Sequence, residues 1–198
     1  MKSIVVAAFE PFAGRRRNRS ADAAAHLTGA KIGEHAVEVA RLPTEFARLE
    51  PSVAALLARE PALLLLVGES GPARALQVER LAVNVAHARV RDNAGARPID
   101  DEVVRGGEPA RRVRFDPRLA CNAAIAAGVP CEVSAHAGTF CCNAAFYHAL
   151  GQAAARAEPP LVAFVHVPAH WPWARDRRAA RGLYAVAAAL VGTPRISH

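Results

Sequence analysis

The sequence is poor in lysine, methionine and aromatic residues. Lysine occurs only at Lys2 and Lys31, methionine only at the first position, and aromatic residues make up 6% of the 198 residues. A surface that binds single-stranded nucleic acid interleaves aromatic and basic side chains, and that pattern is missing. The arginines are scattered along a chain rich in alanine, so we attribute the net charge of +7 to a compositional bias toward arginine and alanine, and we expect no nucleic-acid partner.

Long apolar runs are also missing. A membrane-spanning helix needs roughly 18 consecutive apolar residues, and no run here reaches that length; the run at residues 62–68 suits a buried strand. The apolar stretch at residues 4–9 is followed at once by Glu10 and Pro11, so it predicts a first strand and not an export signal. We expect a cytoplasmic protein with no membrane partner.

Cysteine is scarce and has no metal-binding spacing. The four cysteines are Cys121, Cys131, Cys141 and Cys142, and they form neither a C-x-x-C pair nor a metal-type pattern with histidine. Reduced thiols are the simplest reading in a cytosolic protein. The pattern predicts no metal and no cofactor, and it leaves a thiol available as a nucleophile.

What the sequence does contain is an alternation of strand-like and helix-like segments, typical of an α/β protein. We predict one domain over residues 1–198. Strands are expected at residues 3–9, 37–42, 62–67, 131–134 and 161–167, and an extended segment at residues 76–90. Helices are expected at residues 20–28, with Ser20 as the N-cap, and at 46–59, 117–127, 142–157 and 177–191. Residues 91–117 are turn-rich and predict surface loops or a small hairpin.

Cys142 is the first candidate for chemistry. It follows a strand and a short Ala-Gly-Thr turn, and it stands at the predicted start of a helix. The partial positive charge and free N–H groups of a helix N-terminus favour a thiolate and can hold an oxyanion. Cysteine is also a common small core residue, and the local sequence favours neither interpretation.

His166 and Glu79 are the second and third candidates. His166 lies near the carboxyl end of an apolar strand, where ligands gather in α/β sheets, although a lone histidine there is more often a core residue. Glu79 lies in an otherwise apolar segment, and a buried glutamate is rare unless it is paired. Arg80 or Arg74 would be its partner in a purely structural ion pair. Together with Cys142, the two residues would supply a nucleophile, a base and an orienting acid.

Several short segments of the chain form recognisable motifs. Residues 8–14 read AFEPFAG, residues 67–71 read VGESG, and residues 79–84 read ERLAVN. Residues 137–143 read AGTFCCN and residues 164–168 read FVHVP. These segments, with shorter matches at residues 42–44 and 88–93, resemble the motifs of the pyroglutamyl peptidase type I family, also called pyrrolidone-carboxylate peptidase. They occur in the family's order, and the similarity runs from residue 1 to about residue 168.

The resemblance implies a fold, an activity and a site. The fold is a three-layer α/β sandwich with a central mixed β-sheet, phosphorylase/hydrolase-like, and family members are often dimers or tetramers. The activity is removal of N-terminal pyroglutamate from peptides by a cysteine peptidase. The implied catalytic triad is Cys142, His166 and Glu79. The implied oxyanion site is the Cys142 N–H with Arg89, and the implied substrate-binding residues are Phe9, Phe12, Asn18, Thr44, Glu69 and Phe140.

The chain also departs from the family pattern around the site. Alanine replaces two family glycines at Ala8 and Ala13, Pro72 replaces glycine, and arginine replaces proline at Arg19 and Arg91. Glu69 stands where the family often has glutamine, and a carboxylate near a thiol disfavours the thiolate.

These departures keep other functions open. One alternative is a non-catalytic or altered-specificity relative that binds N-acyl peptides without efficient hydrolysis of pyroglutamate. Others are a basic RNA-associated protein, motivated only by the net charge, and a redox-sensing thiol protein built on Cys141 and Cys142.

Overall fold

The computed structural model describes residues 1–172 and 175–192. Its strands are β1 (Ile4–Phe9), β2 (Lys31–Ile32), β3 (His35–Leu42), β4 (Leu63–Ser70), β5 (Leu76–Glu79), β6 (Leu81–Val83), β7 (Ala110–Arg112), β8 (Cys131–Ser134) and β9 (Leu161–Pro168). Its helices are α1 (Arg19–Ala25), α2 (Phe46–Leu57), α3 (Pro117–Ala126), α4 (Cys141–Ala154) and α5 (Asp176–Gly192). None of these helices is long and apolar enough to cross a membrane.

Seven strands form one mixed sheet in the order β2-β3-β1-β4-β9-β5-β8. The four central strands β3, β1, β4 and β9 run parallel to one another. Strand β5 runs antiparallel to β9, and β8 runs parallel to β5. The carboxyl ends of the parallel strands meet at one edge of the sheet, where functional groups of α/β proteins usually lie.

Both faces of the sheet are buried, because helices cover each one. Alternate residues of the strands point to opposite faces. One face packs against α1, α3 and α5, and the other packs against α2 and α4. Residues 63–67 of β4, which read as a continuous apolar run, are fully buried, as a central parallel strand requires. This arrangement confirms the expected three-layer α/β sandwich with a mixed sheet.

The first helix begins one residue before the predicted start, and its N-cap is Asn18, not Ser20. The Asn18 Oδ1 atom accepts hydrogen bonds from the Ser20 backbone N–H at 3.0 Å and from the Ser20 hydroxyl at 2.7 Å. Asparagine and serine are both strong N-cap residues. The sequence alone therefore did not decide between them, and the Ser20 assignment was wrong.

The segment predicted as extended over residues 76–90 is divided at Arg80. Its first part, β5, belongs to the main sheet, whereas β6 pairs with β7 in a separate two-stranded antiparallel sheet. The turn-rich region at residues 91–117 contributes one strand, β7, to this pairing, and its partner β6 lies outside the region. The small hairpin considered for that region is therefore not formed there. Helix α4 begins at Cys141, one residue before the predicted start, and ends at Ala154.

Helices α1 and α5 are joined by a buried ion pair. The Arg19 guanidinium donates a hydrogen bond to Asp176 Oδ1 at 3.0 Å. Both residues are more than nine-tenths buried. The first residue of α1 is thereby fixed to the first residue of α5, two elements that lie far apart in the sequence.

Of the two alanines that replace family glycines, only Ala13 has a strained backbone. Its φ is 53°, in the left-handed region that disfavours a Cβ atom, whereas Ala8 lies fully buried in β1.

We expect A13G to stabilise the protein by about 1 kcal/mol because glycine removes this strain. We expect A8G to destabilise it by about 1 kcal/mol, since it loses a buried methyl group and gains backbone entropy in the unfolded chain. Chemical denaturation of the two variants measures both effects, and equal signs would contradict the assignment of strain to Ala13.

Candidate active site

Two adjacent cysteines begin α4 and have different surroundings. Cys141 is completely buried, and this burial, with a smaller contribution from neighbouring Cys142, raises the pKa of its thiol far above the ordinary value. Cys142 is only partly buried and lines a cavity. The first N–H groups of a helix have no partner within it, so the Cys142 thiol lies beside unpaired donors and the positive end of the helix dipole.

The Cys142 thiol lies over Gly68 of β4, where the absence of a side chain creates its space. A Cβ atom built on Gly68 would be 2.8 Å from Cys142 Sγ and 3.0 Å from His166 Cδ2. Gly68 is also the register partner of His166 in the neighbouring strand β9. The strand pairing therefore places the imidazole beside this glycine, and α4 places the thiol over the same position.

His166 is held between the thiol and a buried carboxylate. Its Nδ1 lies 2.7 Å from Glu79 Oε1, and a carboxylate only accepts hydrogen bonds, so Nδ1 carries the proton. The other ring nitrogen is left to act on the Cys142 thiol, which packs over the same glycine as the ring. Burial disfavours the charged ring, but the interactions of the ring with the Cys142 and Glu79 side chains outweigh it and raise the pKa of His166 to about 10. The imidazolium form is therefore stabilised.

Glu79 is 1% exposed, and only one of its carboxylate oxygens is hydrogen-bonded. Oε1 accepts from His166, whereas Oε2 is buried and has no hydrogen-bond partner in the described part of the chain. Leaving such an atom unpaired costs free energy. The pairing with Arg80 or Arg74 that a structural role would require is replaced by the contact with His166.

The three catalytic candidates open into a cavity of about 500 Å³. Its walls bring together all of the residues that the family resemblance singled out as a binding or oxyanion site: Phe9, Phe12, Asn18, Thr44, Glu69, Arg89 and Phe140. The Phe12 and Phe140 rings are 5.8 Å apart and tilted by 42°. Phe46, which sequence reasoning missed, meets Phe140 edge-on at 5.4 Å. One side of the cavity is therefore aromatic.

Asn18 and Thr44 hold the loop that carries Phe12. The Asn18 amide and the Thr44 hydroxyl both donate hydrogen bonds to the Glu10 carbonyl oxygen, at 3.2 Å and 3.0 Å. Asn93 adds a third hydrogen bond, from its side chain to the Pro11 carbonyl oxygen at 3.0 Å. The polar residues assigned to substrate contact thus also fix the position of the aromatic wall.

Asn143, next to the reactive thiol, is a positioning residue that sequence reasoning missed. It is fully buried, accepts a hydrogen bond from the Val83 N–H at 2.9 Å, and donates to the Val83 and Val85 carbonyl oxygens at 2.8 Å and 3.0 Å. The Thr139 hydroxyl donates to the His87 carbonyl oxygen at 3.0 Å. These contacts tie the segment that leads to Arg89 to the start of α4. An asparagine directly after the candidate nucleophile was the available signal.

The space above Gly68 predicts a strong effect of one methyl group. We expect G68A to lower kcat/KM by about 100-fold, because the new Cβ would displace the thiol or the imidazole from their contact. The matched control is G192A at the end of α5, where a Cβ meets open space. Comparing kcat/KM and melting temperature for both variants separates the effects. Wild-type turnover by G68A would contradict the proposed geometry.

A thiol, an imidazole and a carboxylate in line, beside a helix N-terminus on an α/β sheet, define a cysteine hydrolase. No cluster of three or more histidine, cysteine or acidic side chains suited to a metal ion occurs in residues 1–172 and 175–192. The sequence profile of pyroglutamyl peptidase matches residues 2–178. The chain belongs to the pyroglutamyl peptidase family and is a cysteine-type peptidase.

Individual relatives agree with the profile. The chain is 41% identical to the pyrrolidone-carboxylate peptidase of Erwinia tasmaniensis over 173 residues, covering 85% of this chain and 78% of that protein. It is 38% identical to the pyrrolidone-carboxylate peptidase of Cupriavidus pinatubonensis over 172 residues, covering 85% and 79%. The crystal structure of pyroglutamyl peptidase I from Bacillus amyloliquefaciens superimposes with a TM-score of 0.90, 26% identity and 98% coverage of both chains. These similarities do not favour the alternative of a non-catalytic relative.

Proposed function

We propose that Cys142 is the nucleophile of this peptidase, with His166 as general base and acid and Glu79 as the group that orients His166. The proposal is carried by the packing of the Cys142 thiol and the His166 ring over Gly68 and by the contact of that ring with the Glu79 carboxylate. The raised pKa of His166 favours an imidazolium beside the thiol, which suits a thiolate nucleophile.

The proposed reaction has two steps. The Cys142 sulfur attacks the carbonyl carbon that joins pyroglutamate to the next residue, and the C–N bond breaks as His166 protonates the departing amine. A pyroglutamyl thioester then remains on Cys142. His166 next removes a proton from a water molecule, which attacks the thioester and releases pyroglutamate and the thiolate. No cofactor takes part in either step.

The oxyanion of each tetrahedral intermediate needs hydrogen-bond donors. We assign the Cys142 backbone N–H and Arg89 to this role. The N–H lies in the first turn of α4, where helix geometry leaves donors unpaired. Arg89 is exposed at the wall of the same cavity. Donors placed before the reaction stabilise the developing charge without reorganisation.

The aromatic wall suits the acyl group. Pyroglutamate is a neutral five-membered lactam, and it has no ammonium group that an ordinary aminopeptidase site could bind. Phe9, Phe12 and Phe140 line the cavity, and flat rings of this kind pack well against a flat neutral ring. Asn18, Thr44 and Glu69 supply polar groups nearby, which fix orientation in pockets of this type.

The test is hydrolysis of a pyroglutamyl amide that releases a fluorescent amine, in the presence of a reducing agent. Prolyl and free glutamyl amides serve as matched substrates. The first lacks the lactam carbonyl and carries an ammonium, and the second is the open-chain form. We expect turnover of the pyroglutamyl amide alone. Equal turnover of the prolyl amide would overturn the assigned acyl pocket.

We further propose that the chain acts as a single domain over residues 1–198, in the cytoplasm, on pyroglutamyl peptides and without a nucleic-acid partner. A single sheet that joins strands from residue 4 to residue 168 supports the one-domain assignment. A homo-oligomer, either dimer or tetramer, follows from the family resemblance. Light scattering of the purified protein measures that state.

A further inference from the structure

A carboxylate occupies the wall of a cavity that should receive a neutral ring. Glu69 lies near the end of β4, lines the cavity, and has a side chain that is only 3% exposed. An isolated buried carboxylate is costly. It would also repel a nearby thiolate and the electron-rich carbonyl groups of a substrate. This chain must therefore compensate the charge.

Both oxygens of Glu69 are bound by the loop that leads into α1. Oε1 forms an ion pair with the Arg15 guanidinium, and Oε2 accepts a hydrogen bond from the Arg19 backbone N–H at 2.7 Å. Of the two groups that bind Glu69, the Arg15 guanidinium carries a full positive charge and the Arg19 backbone N–H carries none. The Glu69–Arg15 pair is thus neutral overall, as an amide side chain at the same position would be.

Arg15 also belongs to the turn that carries the aromatic wall. The Arg15 backbone N–H donates to the Phe12 carbonyl oxygen at 3.1 Å. The ion pair therefore connects the end of β4 to the Phe12 turn across the cavity wall. Loss of the pair would release this turn on one side, while the hydrogen bonds from Asn18, Thr44 and Asn93 would still hold its other end.

We propose that Arg15 is a positioning residue that determines acyl specificity, because it neutralises Glu69 and holds the Phe12 turn against the pocket. The proposal rests on the proposed function, in which this cavity binds pyroglutamate. The arginine acts through Glu69, and not by direct contact with the substrate. An exposed ion pair would contribute little, but here one partner is almost completely buried, so its removal leaves a buried charge unpaired.

The test is a double-mutant cycle with R15Q, E69Q and R15Q/E69Q. The matched control is R16Q, which changes an exposed arginine on the same loop. We expect R15Q to raise KM for the pyroglutamyl amide about tenfold, which corresponds to roughly 1.4 kcal/mol. The double variant removes the unpaired carboxylate as well, so it should recover most of that loss. An R15Q/E69Q variant as impaired as R15Q alone would overturn the role assigned to Glu69, and so would R15Q behaving like R16Q.

A second readout separates charge from simple loosening of the loop. Inhibition constants are measured for 2-pyrrolidone, which is a neutral lactam, and for free pyroglutamate, which is an anion. Loosening of the loop would weaken both inhibitors equally. In R15Q, the unpaired Glu69 carboxylate should weaken the binding of the anion more than the binding of the neutral lactam. Adding E69Q, as in R15Q/E69Q, should remove this difference. Equal weakening of the two probes would overturn the neutralising role of Arg15.

Direct binding distinguishes failure of this proposal from failure of the proposed function. Both probes are titrated calorimetrically into each variant, which needs no turnover. Wild-type protein that binds 2-pyrrolidone but fails to hydrolyse the amide would contradict the proposed function. The binding constants of the two probes would still test the role of Arg15 across the double-mutant cycle. Wild-type protein that binds neither probe would overturn both proposals.

Discussion

Replacing Cys142 by alanine should abolish hydrolysis of pyroglutamyl amides, with kcat falling by about four orders of magnitude or more. The expected loss is large because the thioester cannot form without the sulfur, and a positioned imidazole alone has no nucleophile to activate. The variant should fold normally, since Cys142 is only partly buried. Amine release and the melting temperature are measured on the same preparation.

The adjacent cysteine provides the matched control. C141A removes one buried sulfur atom, so it should lower the free energy of unfolding by about 1 kcal/mol and keep most of the activity. An alkylating agent should inactivate wild-type protein and C141A alike, because Cys141 is fully buried and its pKa is raised. Equal loss of activity in the two alanine variants would contradict the assignment of Cys142 as the nucleophile.

Replacing Glu79 by glutamine should lower kcat by about 1000-fold while preserving the shape of the site. The glutamine amide carries no negative charge, so it cannot stabilise the imidazolium of His166. It can also present its NH₂ group to Nδ1, which would hold the ring in the wrong tautomer. KM should change much less than kcat, because Glu79 contacts His166 and not the aromatic wall.

E132Q is the control for this variant. Glu132 lies on the neighbouring strand β8, is exposed, and accepts a hydrogen bond from the Gln77 side chain at 2.7 Å. E132Q therefore removes the same negative charge from the strand next to β5, at a residue that does not contact His166. We expect wild-type kinetics for E132Q. A loss in E132Q as large as that in E79Q would show that general charge near β5 matters, and the specific role of Glu79 would be wrong.

The arrangement of strands and helices could be predicted from local patterns in the sequence. The apolar run at residues 62–67 predicted a central strand, and β4 is such a strand. The helix predicted at residues 117–127 is α3, and Gly128 follows it with φ of 75°. The division at Arg80 could not be predicted, because it depends on which distant strand each half meets, and local alternation is the same on both sides.

The candidate site was predictable only through family motifs, because its members come from separate elements. Cys142, His166 and Glu79 belong to α4, β9 and β5, and no spacing along the chain shows that they meet. The role of Gly68 as space for the thiol is likewise a property of the packed sheet. The Arg15 contact with Glu69 was missed for a different reason. Three consecutive arginines looked equivalent in the sequence, and only the folded loop distinguishes one of them.

The ion pair between Arg19 and Asp176 has a consequence for the order in which the enzyme becomes competent during translation. Cys142, His166 and Glu79 all leave the ribosome before Asp176, but the sheet on which they meet packs against α5 on one face. The backbone of Arg19 holds Glu69, and its side chain pairs with Asp176 at the start of that helix. Completion of the core and fixation of the Glu69 side of the acyl pocket therefore both depend on the last helix, and a chain interrupted before residue 176 would lack both.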